Sequence, residues 1–331
     1  MRSLCLASML KEDAQITFMS QALPAQLTRK IEQSGFNVLT LKPVNEHHFD
    51  EHEHALVCLE SIIADIDLLV IDHYKLGAVY SNIMRKRARK IMVIDDLANR
   101  IHDCDLLLDQ NLYPNFTSRY DALIPAHCTT LLGPSYALLR DEFYVYLHQR
   151  ETKRILVNFG GSDIDNMTAR LVDIISELKI PNLVADIVVG SGYQAYEQLK
   201  SKVSHFANMQ LHINCDYMAM LMQRATLMVG SGGSTHWERC ASELTGLVIT
   251  TAMNQVETTR CLSQQQCCEW IGHVDEVSDN QISATISEYI THPEKWQEMG
   301  KKAKQLVPDA TQKNRVRDII LEHIRGNNVD N

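Results

Sequence analysis

Short apolar runs alternate with amphipathic stretches along the whole chain. The apolar runs predict strands over Ile16–Ser20, Asp67–Asp72, Ile91–Asp96, Asp105–Asp109, Arg154–Phe159, Ala185–Gly190, Gln210–Asn214, Leu227–Gly230 and Leu247–Thr251. The amphipathic stretches predict helices over Pro24–Ser34, Ala55–Ala64, Met167–Glu177, Thr235–Leu244, Pro293–Leu306 and Gln312–Ile324. Strands and helices in alternation indicate βαβ units and an α/β fold with mainly parallel sheets. The strands are continuously apolar, as expected of sheets covered on both faces.

The 331 residues predict two domains of roughly 150 residues each. The polar stretch His148–Lys153 follows a charged helix predicted over Leu139–Leu147 and precedes a new strand, so we place the domains at 1–150 and 151–331. A doubly wound half normally opens with a strand. This chain opens with a helical pattern over Met1–Lys11, so either the first domain starts on a helix or its first strand is missing from the sequence.

Composition narrows the class of protein. Hydrophobic residues make up 45% and charged residues 22%, which is ordinary for a globular protein. The formal charge of -9 argues against a nucleic-acid partner, although backbone N–H groups can still bind an anionic nucleotide. No apolar stretch approaches the length of a membrane span. The nine cysteines are scattered without a CxxC pair, which predicts a reducing, cytoplasmic setting without a disulfide framework or zinc site.

A glycine-rich loop follows the predicted strand at Leu227–Gly230. The segment reads GSGGSTHWE, and its candidate ligand-binding residues are Gly232, Gly233, Ser234, Thr235 and Glu238. Glycines let the backbone approach a ligand closely, and the start of the following helix offers N–H groups to an anion. The alternative is a tight turn whose serine and glutamate cap the helix. Because the run of glycine and serine exceeds what a cap needs, we favour a phosphate-binding loop.

A second loop of this kind follows the strand at Arg154–Phe159. Its candidate residues are Gly160, Gly161, Ser162, Asp163 and Asn166. The alternative is an Asp or Asn that caps the next helix. Both loops stand at carboxyl ends of predicted strands, where open α/β sheets bind ligands, and Asn254 and Gln255 follow another strand at the same edge. The segment Gly190–Gly192 is weaker evidence for a third loop.

Polar residues also follow strands in the first half. Asp72, His73 and Tyr74 place an acid, a base and a hydroxyl together, a set suited to proton transfer. Asp95 with Asp96, and Asp109 with Asn111, end two further strands. Each aspartate alone could cap a helix, but three polar strand ends together indicate a cleft.

Four histidines, His47, His48, His52 and His54, suggest a metal site at first sight. Their spacing is irregular and they stand among acidic residues, so we predict a solvated loop and no bound metal. We expect no cofactor.

These motifs together resemble one family. The strings IDDLANR (Ile94–Arg100), CDLLLDQN (Cys104–Asn111), GPSYALLRDEF (Gly133–Phe143), NFGGSDIDNMT (Asn158–Thr168) and SGGSTHWE (Ser231–Glu238) are similar to the UDP-2,4-diacetamido-2,4,6-trideoxy-β-L-altropyranose hydrolases of pseudaminic acid synthesis, relatives of MurG. The resemblance implies two Rossmann-like domains facing a cleft, the glycosyltransferase-B-like arrangement. It also implies a metal-independent enzyme that releases UDP from a UDP-sugar by water attack at the anomeric carbon.

The resemblance also implies which residues bind each part of the UDP-sugar. UDP would lie on the second domain, with the two glycine-rich loops at the diphosphate and Glu238 at the ribose, while Asp72, His73, Tyr74 and Asn111 would face the sugar. The family opens with a strand and a Gly-His loop that carries its expected base, and this sequence starts after that point. Two alternatives therefore stay open: a glycosyltransferase of the same fold, or a UDP-sugar-binding protein with impaired catalysis. We expect a monomer, because two domains can enclose the ligand themselves.

Overall fold

A computed structural model describes residues 2–21, 23–44, 49–146 and 148–326. The chain forms two compact units. The first takes the described residues up to Asn111, residues 115–138 and those from Thr311 onward, and the second takes residues 112–114 and 139–310. In the part of the chain that the structure describes, no helix is long and apolar enough to cross a membrane.

The first unit contains two parallel sheets. Its strands are β1 (Thr17–Ser20), β2 (Asn37–Thr40), β3 (Ile66–Ile71), β4 (Ala88–Ile94), β5 (Leu106–Asp109) and β6 (Thr129–Leu132). Its helices are α1 (Arg2–Leu10), α2 (Ala25–Gln33), α3 (Glu51–Ser61), α4 (Ala78–Met84) and α12 (Arg315–Arg325). Strands β1 and β2 pair with each other, and the other four form a sheet in the order β3-β4-β5-β6.

Helix α12 completes the core of the first unit, although it lies nearly two hundred residues beyond β6 in the sequence. Val316 and Ile320 are buried in one cluster with Leu6 and Leu10 of α1 and with apolar residues of β4 and β5. His323 of α12 also lies 2.9 Å from the Thr129 hydroxyl. Burying each such aliphatic side chain stabilises the fold by about 1.5–3 kcal/mol, so α12 contributes to this core directly.

The second unit contains one six-stranded parallel sheet. Its strands are β7 (Arg154–Asn158), β8 (Val184–Val189), β9 (Met209–Ile213), β10 (Leu227–Gly230), β11 (Thr245–Thr250) and β12 (Glu269–His273), in the order β12-β11-β10-β7-β8-β9. Its helices are α5 (Met167–Glu177), α6 (Tyr196–Val203), α7 (Met218–Arg224), α8 (Thr235–Ala241), α9 (Met253–Gln264), α10 (Asp279–Thr291) and α11 (Gln297–Lys304). The central strand β7 is buried from Ile155 to Asn158, which explains its unbroken apolar sequence.

The predicted α/β fold with parallel sheets is confirmed, since every strand pairing of the described residues is parallel. The strands β2, β6 and β12 were not predicted. The predicted helix over Leu139–Leu147 is wrong, because its described residues hold only a single 3₁₀ turn, Asp141–Tyr144.

Two of the four histidines that were predicted to lie in a solvated loop lie on a helix instead. His52 and His54 lie on α3, whose first N–H groups are capped by the Asp50 carboxylate. His47 and His48 lie outside the described residues. No cluster of three or more metal-ligating side chains occurs in the described ranges.

Candidate functional site

The two glycine-rich loops of the second unit start side by side. Strands β7 and β10 are neighbours, with Asn158 paired to Gly230 at their carboxyl ends. Ser231 N–H donates to the Asn158 carbonyl at 3.2 Å, and a Cβ on Gly230 would collide with that carbonyl. Gly230 is therefore required for the close approach of the two strands, and this approach brings the two loops together.

Three glycines of these loops leave the backbone bare on one side. Apart from the two adjoining residues of each glycine, no heavy atom of the described residues lies within 4 Å of the position of a Cβ on Gly160, Gly161 or Gly233. Gly160 and Gly233 also have φ of +85° and +106°, a backbone conformation that favours glycine. Packing within the unit does not explain why these positions lack a side chain. The open space is the kind of cradle in which a ligand can contact the backbone directly.

The glycines at Gly190 and Gly192 have a different role. A Cβ on Gly190 would lie 2.6 Å from the Cα and carbonyl oxygen of Gly161, and Gly192 N–H donates to that same carbonyl at 3.1 Å. This third segment therefore packs under the loop after β7 and supports it.

Asp163 and Asn166 are engaged within the unit. The Asp163 carboxylate accepts from Met167 N–H at 3.0 Å and from Thr168 N–H at 2.8 Å, so it caps α5, as the alternative interpretation of this residue holds. The Asn166 side chain accepts from the Tyr193 hydroxyl. Ser162, by contrast, is exposed beside the bare glycines.

Helix α9 supports the other loop from below. A Cβ on Gly232 would lie 3.0 Å from both the Gln255 Cβ and the Thr259 hydroxyl, so the loop rests directly on α9. The Gln255 amide oxygen accepts from Thr251 N–H at 3.0 Å and holds the start of that helix. Asn254 is exposed next to it, and Ser234 and Thr235 reach the surface at the start of α8.

Glu238 forms an ion pair that the sequence did not predict. Its Oε1 accepts from Arg140 Nε at 3.1 Å and from Arg140 Nη2 at 2.9 Å, while Arg140 Nη1 lies 2.8 Å from Glu142. Burial is the main cause that raises the pKa of Glu142. Ser234 makes no side-chain cap bond to α8, so the capping interpretation of this serine is not realised. The arrangement holds the Glu238 carboxylate through one oxygen.

Arg2 clamps the polar strand ends of the first unit. Its guanidinium donates to Asp72 Oδ1 from Nε at 3.0 Å and from Nη2 at 2.8 Å, and to Asp96 at 2.9 Å from Nη1. The Ser3 hydroxyl donates to the second oxygen of Asp72. One cation thus brings the carboxylates after β3 and β4 together.

His73 and Tyr74 stand beside this clamp. His73 Nδ1 accepts from Lys75 N–H at 3.1 Å, and burial is the main cause that lowers the pKa of His73. A neutral imidazole that accepts at Nδ1 carries its hydrogen on Nε2, so this ring is a hydrogen-bond donor at that nitrogen. Tyr74 is half exposed, and burial and the Asp96 charge raise its pKa, so its phenol is also a neutral donor.

Asp109 is buried at the end of β5. Its carboxylate accepts from Arg119 at 2.5 Å, from the Tyr120 hydroxyl at 3.1 Å and from Asn111 N–H at 2.9 Å. Tyr120 also lies 3.0 Å from Asp95. Burial is the main cause that raises the pKa of Asp109 to about 6. Asn111 thus follows a carboxylate that titrates close to neutral pH.

Sequence reasoning missed the arginines of both units. Arg140 stands in the GPSYALLRDEF string and Arg119 follows Asn111, but nothing in their local sequence shows which carboxylate each one meets. Arg2 and Asp72 are 70 residues apart. Only a weak indication of these arginines was available in the sequence, namely that two adjacent carboxylates at the end of a strand need a cation nearby.

The arrangement of strands and helices can be compared with that of solved structures. The chain is similar to the crystal structure of MurG from Acinetobacter baumannii, with TM-score 0.64 and 13% identity over 97% of this chain and 95% of that one. It is similar to a UDP-GlcNAc 2-epimerase from Neisseria meningitidis bound to UDP-GlcNAc, with TM-score 0.62 and 12% identity over 98% of each chain. The fold is glycosyltransferase-B-like, with two Rossmann-like units.

The family follows from the second unit. The model of the "Glycosyltransferase family 28 C-terminal domain" matches residues 155–320, half of the chain, and this protein belongs to that family. It is 28% identical over 202 residues to the UDP-2,4-diacetamido-2,4,6-trideoxy-beta-L-altropyranose hydrolase of Campylobacter jejuni, covering 60% of this chain and 72% of that protein. It is 22% identical over 251 residues to the spore coat polysaccharide biosynthesis protein SpsG of Bacillus subtilis, covering 72% of each.

Proposed function

We propose that this protein hydrolyses a UDP-linked 2,4-diacetamido-2,4,6-trideoxy hexose to UDP and the free sugar in pseudaminic acid synthesis. Family membership and the fold support the broader statement that it is a nucleotide-sugar-processing enzyme. The sequence similarity to the Campylobacter hydrolase supports the reaction and the sugar.

The bare glycine loops of the second unit carry the proposal. Gly160 and Gly161 after β7 and Gly233 after β10 leave backbone open at the ends of two neighbouring strands. A diphosphate is the ligand for which such loops are suited, because its oxygens accept from backbone N–H groups that side chains would otherwise cover. The ribose is assigned to Glu238, whose carboxylate Arg140 holds in place.

The reaction needs little from the protein beyond charge stabilisation and an oriented water. The anomeric carbon–oxygen bond breaks, UDP leaves with the bonding electrons, and the water oxygen bonds to the carbon as its proton passes to a base. Donors at the diphosphate stabilise the charge that develops on the leaving group. We assign the base to the Asp72 carboxylate and the sugar contacts to the His73 Nε2–H and the Tyr74 hydroxyl.

The test is incubation of the protein with the UDP-linked altropyranose and water alone, followed by ³¹P and ¹H NMR. We expect stoichiometric release of UDP and free sugar. Tyr74→Phe should lower turnover and leave UDP affinity unchanged, since it removes one donor to the sugar. An intact substrate after many hours, with no UDP formed, would exclude hydrolysis.

The second candidate is a glycosyltransferase, which the family assignment favours. A transferase would release little free sugar in water and would turn over only when a sugar or lipid acceptor is added. Binding of UDP by calorimetry without turnover in either assay would instead support a nucleotide-sugar-binding protein.

A further inference from the structure

A buried arginine lies behind the glycine-rich loop after β10. Arg239, on α8, is 2% exposed and forms no ion pair with any carboxylate that the structure describes. Its Nη1 donates to the Leu244 carbonyl at 2.8 Å and its Nη2 to Cys240 Sγ at 3.6 Å, while Nε has no hydrogen-bond partner in the described residues. A buried, unpaired guanidinium is unfavourable unless something offsets its charge.

The fold reserves space for this side chain. A Cβ on Gly246 would lie 2.5 Å from the Arg239 Cδ, so glycine is required opposite the arginine. Gly246 pairs with Met228 in the β10–β11 ladder, two residues before Gly230, which places it about 7 Å below the loop. Arg239 also lines a small internal cavity together with Ser231 of the loop and Thr235.

The groups around the guanidinium are neutral. Burial and, to a smaller extent, the Arg239 charge together lower the pKa of His236 to about 3, so the imidazole is uncharged at neutral pH. Burial raises the pKa of Cys240 and Cys268, which keeps both thiols protonated. Nothing in this set offsets the positive charge of Arg239.

We propose that the diphosphate of the nucleotide is the counter-charge of Arg239. Arg239 then raises the affinity of the loop after β10 for phosphate through its charge alone, from the buried side of the loop and without contacting the phosphate. This inference rests on the proposed binding of UDP to the second unit. A fixed charge in a poorly polarisable interior acts over about 10 Å, and it is already in place before the ligand arrives. Arg239 is therefore a positioning residue for the nucleotide's charge and has no part in bond cleavage.

The experiment compares Arg239→Met and Arg239→Lys with the wild type, using calorimetry with UDP and with uridine. Arg239→Met should weaken UDP binding about tenfold, from the interaction of unit charges at about 10 Å. Its affinity for uridine, which has no phosphate, should not change. Arg239→Lys should restore most of the UDP affinity, because it keeps the charge. Arg260→Met removes an exposed, paired arginine from α9 and controls for net charge.

The outcomes separate the two proposals. Wild-type protein that binds no UDP would overturn the proposed function itself. Wild-type protein that binds UDP, with Arg239→Met binding it equally well, would overturn the inference alone. Equal losses for UDP and uridine would show that Arg239 only supports the structure. If the Met variant does not fold, Arg239→Gln repeats the comparison, since glutamine keeps a donor for Leu244 without a charge.

Discussion

Replacing Glu238 tests the best-defined polar group beside the glycine-rich loops. Arg140 occupies only Oε1 of its carboxylate, through two hydrogen bonds of 3.1 and 2.9 Å. The second oxygen is the acceptor that we assign to the ribose hydroxyls. Glu238→Gln keeps the shape of the side chain and removes its charge, and Glu238→Ala removes both acceptors.

The magnitude follows from the hydrogen bonds at stake. A hydrogen bond to a charged acceptor contributes about 1.5–3 kcal/mol, against about 1 kcal/mol for a neutral one. Glu238→Gln should therefore weaken UDP binding by about 1–2 kcal/mol, or roughly 5- to 30-fold. Glu238→Ala should weaken it by about 10- to 100-fold if the ribose bonds are lost outright.

Calorimetry with UDP and 2′-deoxy-UDP completes the measurement. The wild type should lose affinity for the deoxy nucleotide, whereas Glu238→Ala should bind both nucleotides alike, because the partner of the 2′-hydroxyl is gone. Glu142→Gln, which changes the other carboxylate on Arg140, controls for a shift of the arginine. An unchanged UDP affinity in Glu238→Gln, or an undiminished 2′-deoxy effect in Glu238→Ala, would refute the assignment.

Three further predictions follow from glycine packing, burial and thiol proximity. Gly161→Ala should leave the melting temperature nearly unchanged but weaken UDP binding, whereas Gly190→Ala should destabilise the fold by about 1–3 kcal/mol through backbone collision; thermal melts and calorimetry check both. The raised pKa of Asp109, from 3.8 to about 6, means that its contribution to stability is present below pH 4 and is lost as pH rises to 6. Urea unfolding should therefore show that the free energy of unfolding of Asp109→Asn rises relative to that of the wild type as the pH rises from 4 to 7, by at most about 3 kcal/mol. A difference between the two proteins that stays constant with pH would contradict the raised pKa. Cys104 and Cys128, with Sγ atoms 3.5 Å apart, should stay reduced in the folded protein under hydrogen peroxide, because Cys104 is fully buried and both its hydrogen bond with Cys128 and its burial raise its pKa. A Cys104–Cys128 disulfide found by peptide mapping would contradict this.

The strands of the sheet centres were predictable, because burial on both faces gives an unbroken apolar run. Strand β10 was predicted over the residues that form it, and α5 as well. Strand β12 was missed because none of its residues is buried, and its sequence, EWIGH, mixes charge with glycine. The helix predicted over Leu139–Leu147 rested on its charged pattern alone; in the structure Phe143 is buried and Arg140 pairs with Glu238, 98 residues away, and only Asp141–Tyr144 form a 3₁₀ turn.

The candidate site was predictable as far as the backbone determines it. Glycine-rich segments after apolar strands identify loops directly, and those loops now have bare backbone at Gly160, Gly161 and Gly233. The ion pairs could not be predicted from the sequence, because Arg140 pairs with a carboxylate that lies 98 residues away in the chain. The sequence also does not show which glycines are needed for packing. Gly190 and Gly161 both stand in short glycine-containing segments after a strand, but only a Cβ on Gly190 would collide with a neighbouring backbone.

The return of α12 to the first unit has a consequence for the order in which the protein folds. Residues 139–310 of the second unit form one continuous stretch, and its core uses no residue of α12. On the ribosome that stretch is complete before Val316 and Ile320 are synthesised, and domains generally fold as units during synthesis. We therefore expect the later-encoded unit to reach its native state first, while the earlier one waits for its last helix. A chain that ends at residue 310 should show protease resistance in the second unit alone, because the first unit then lacks α12.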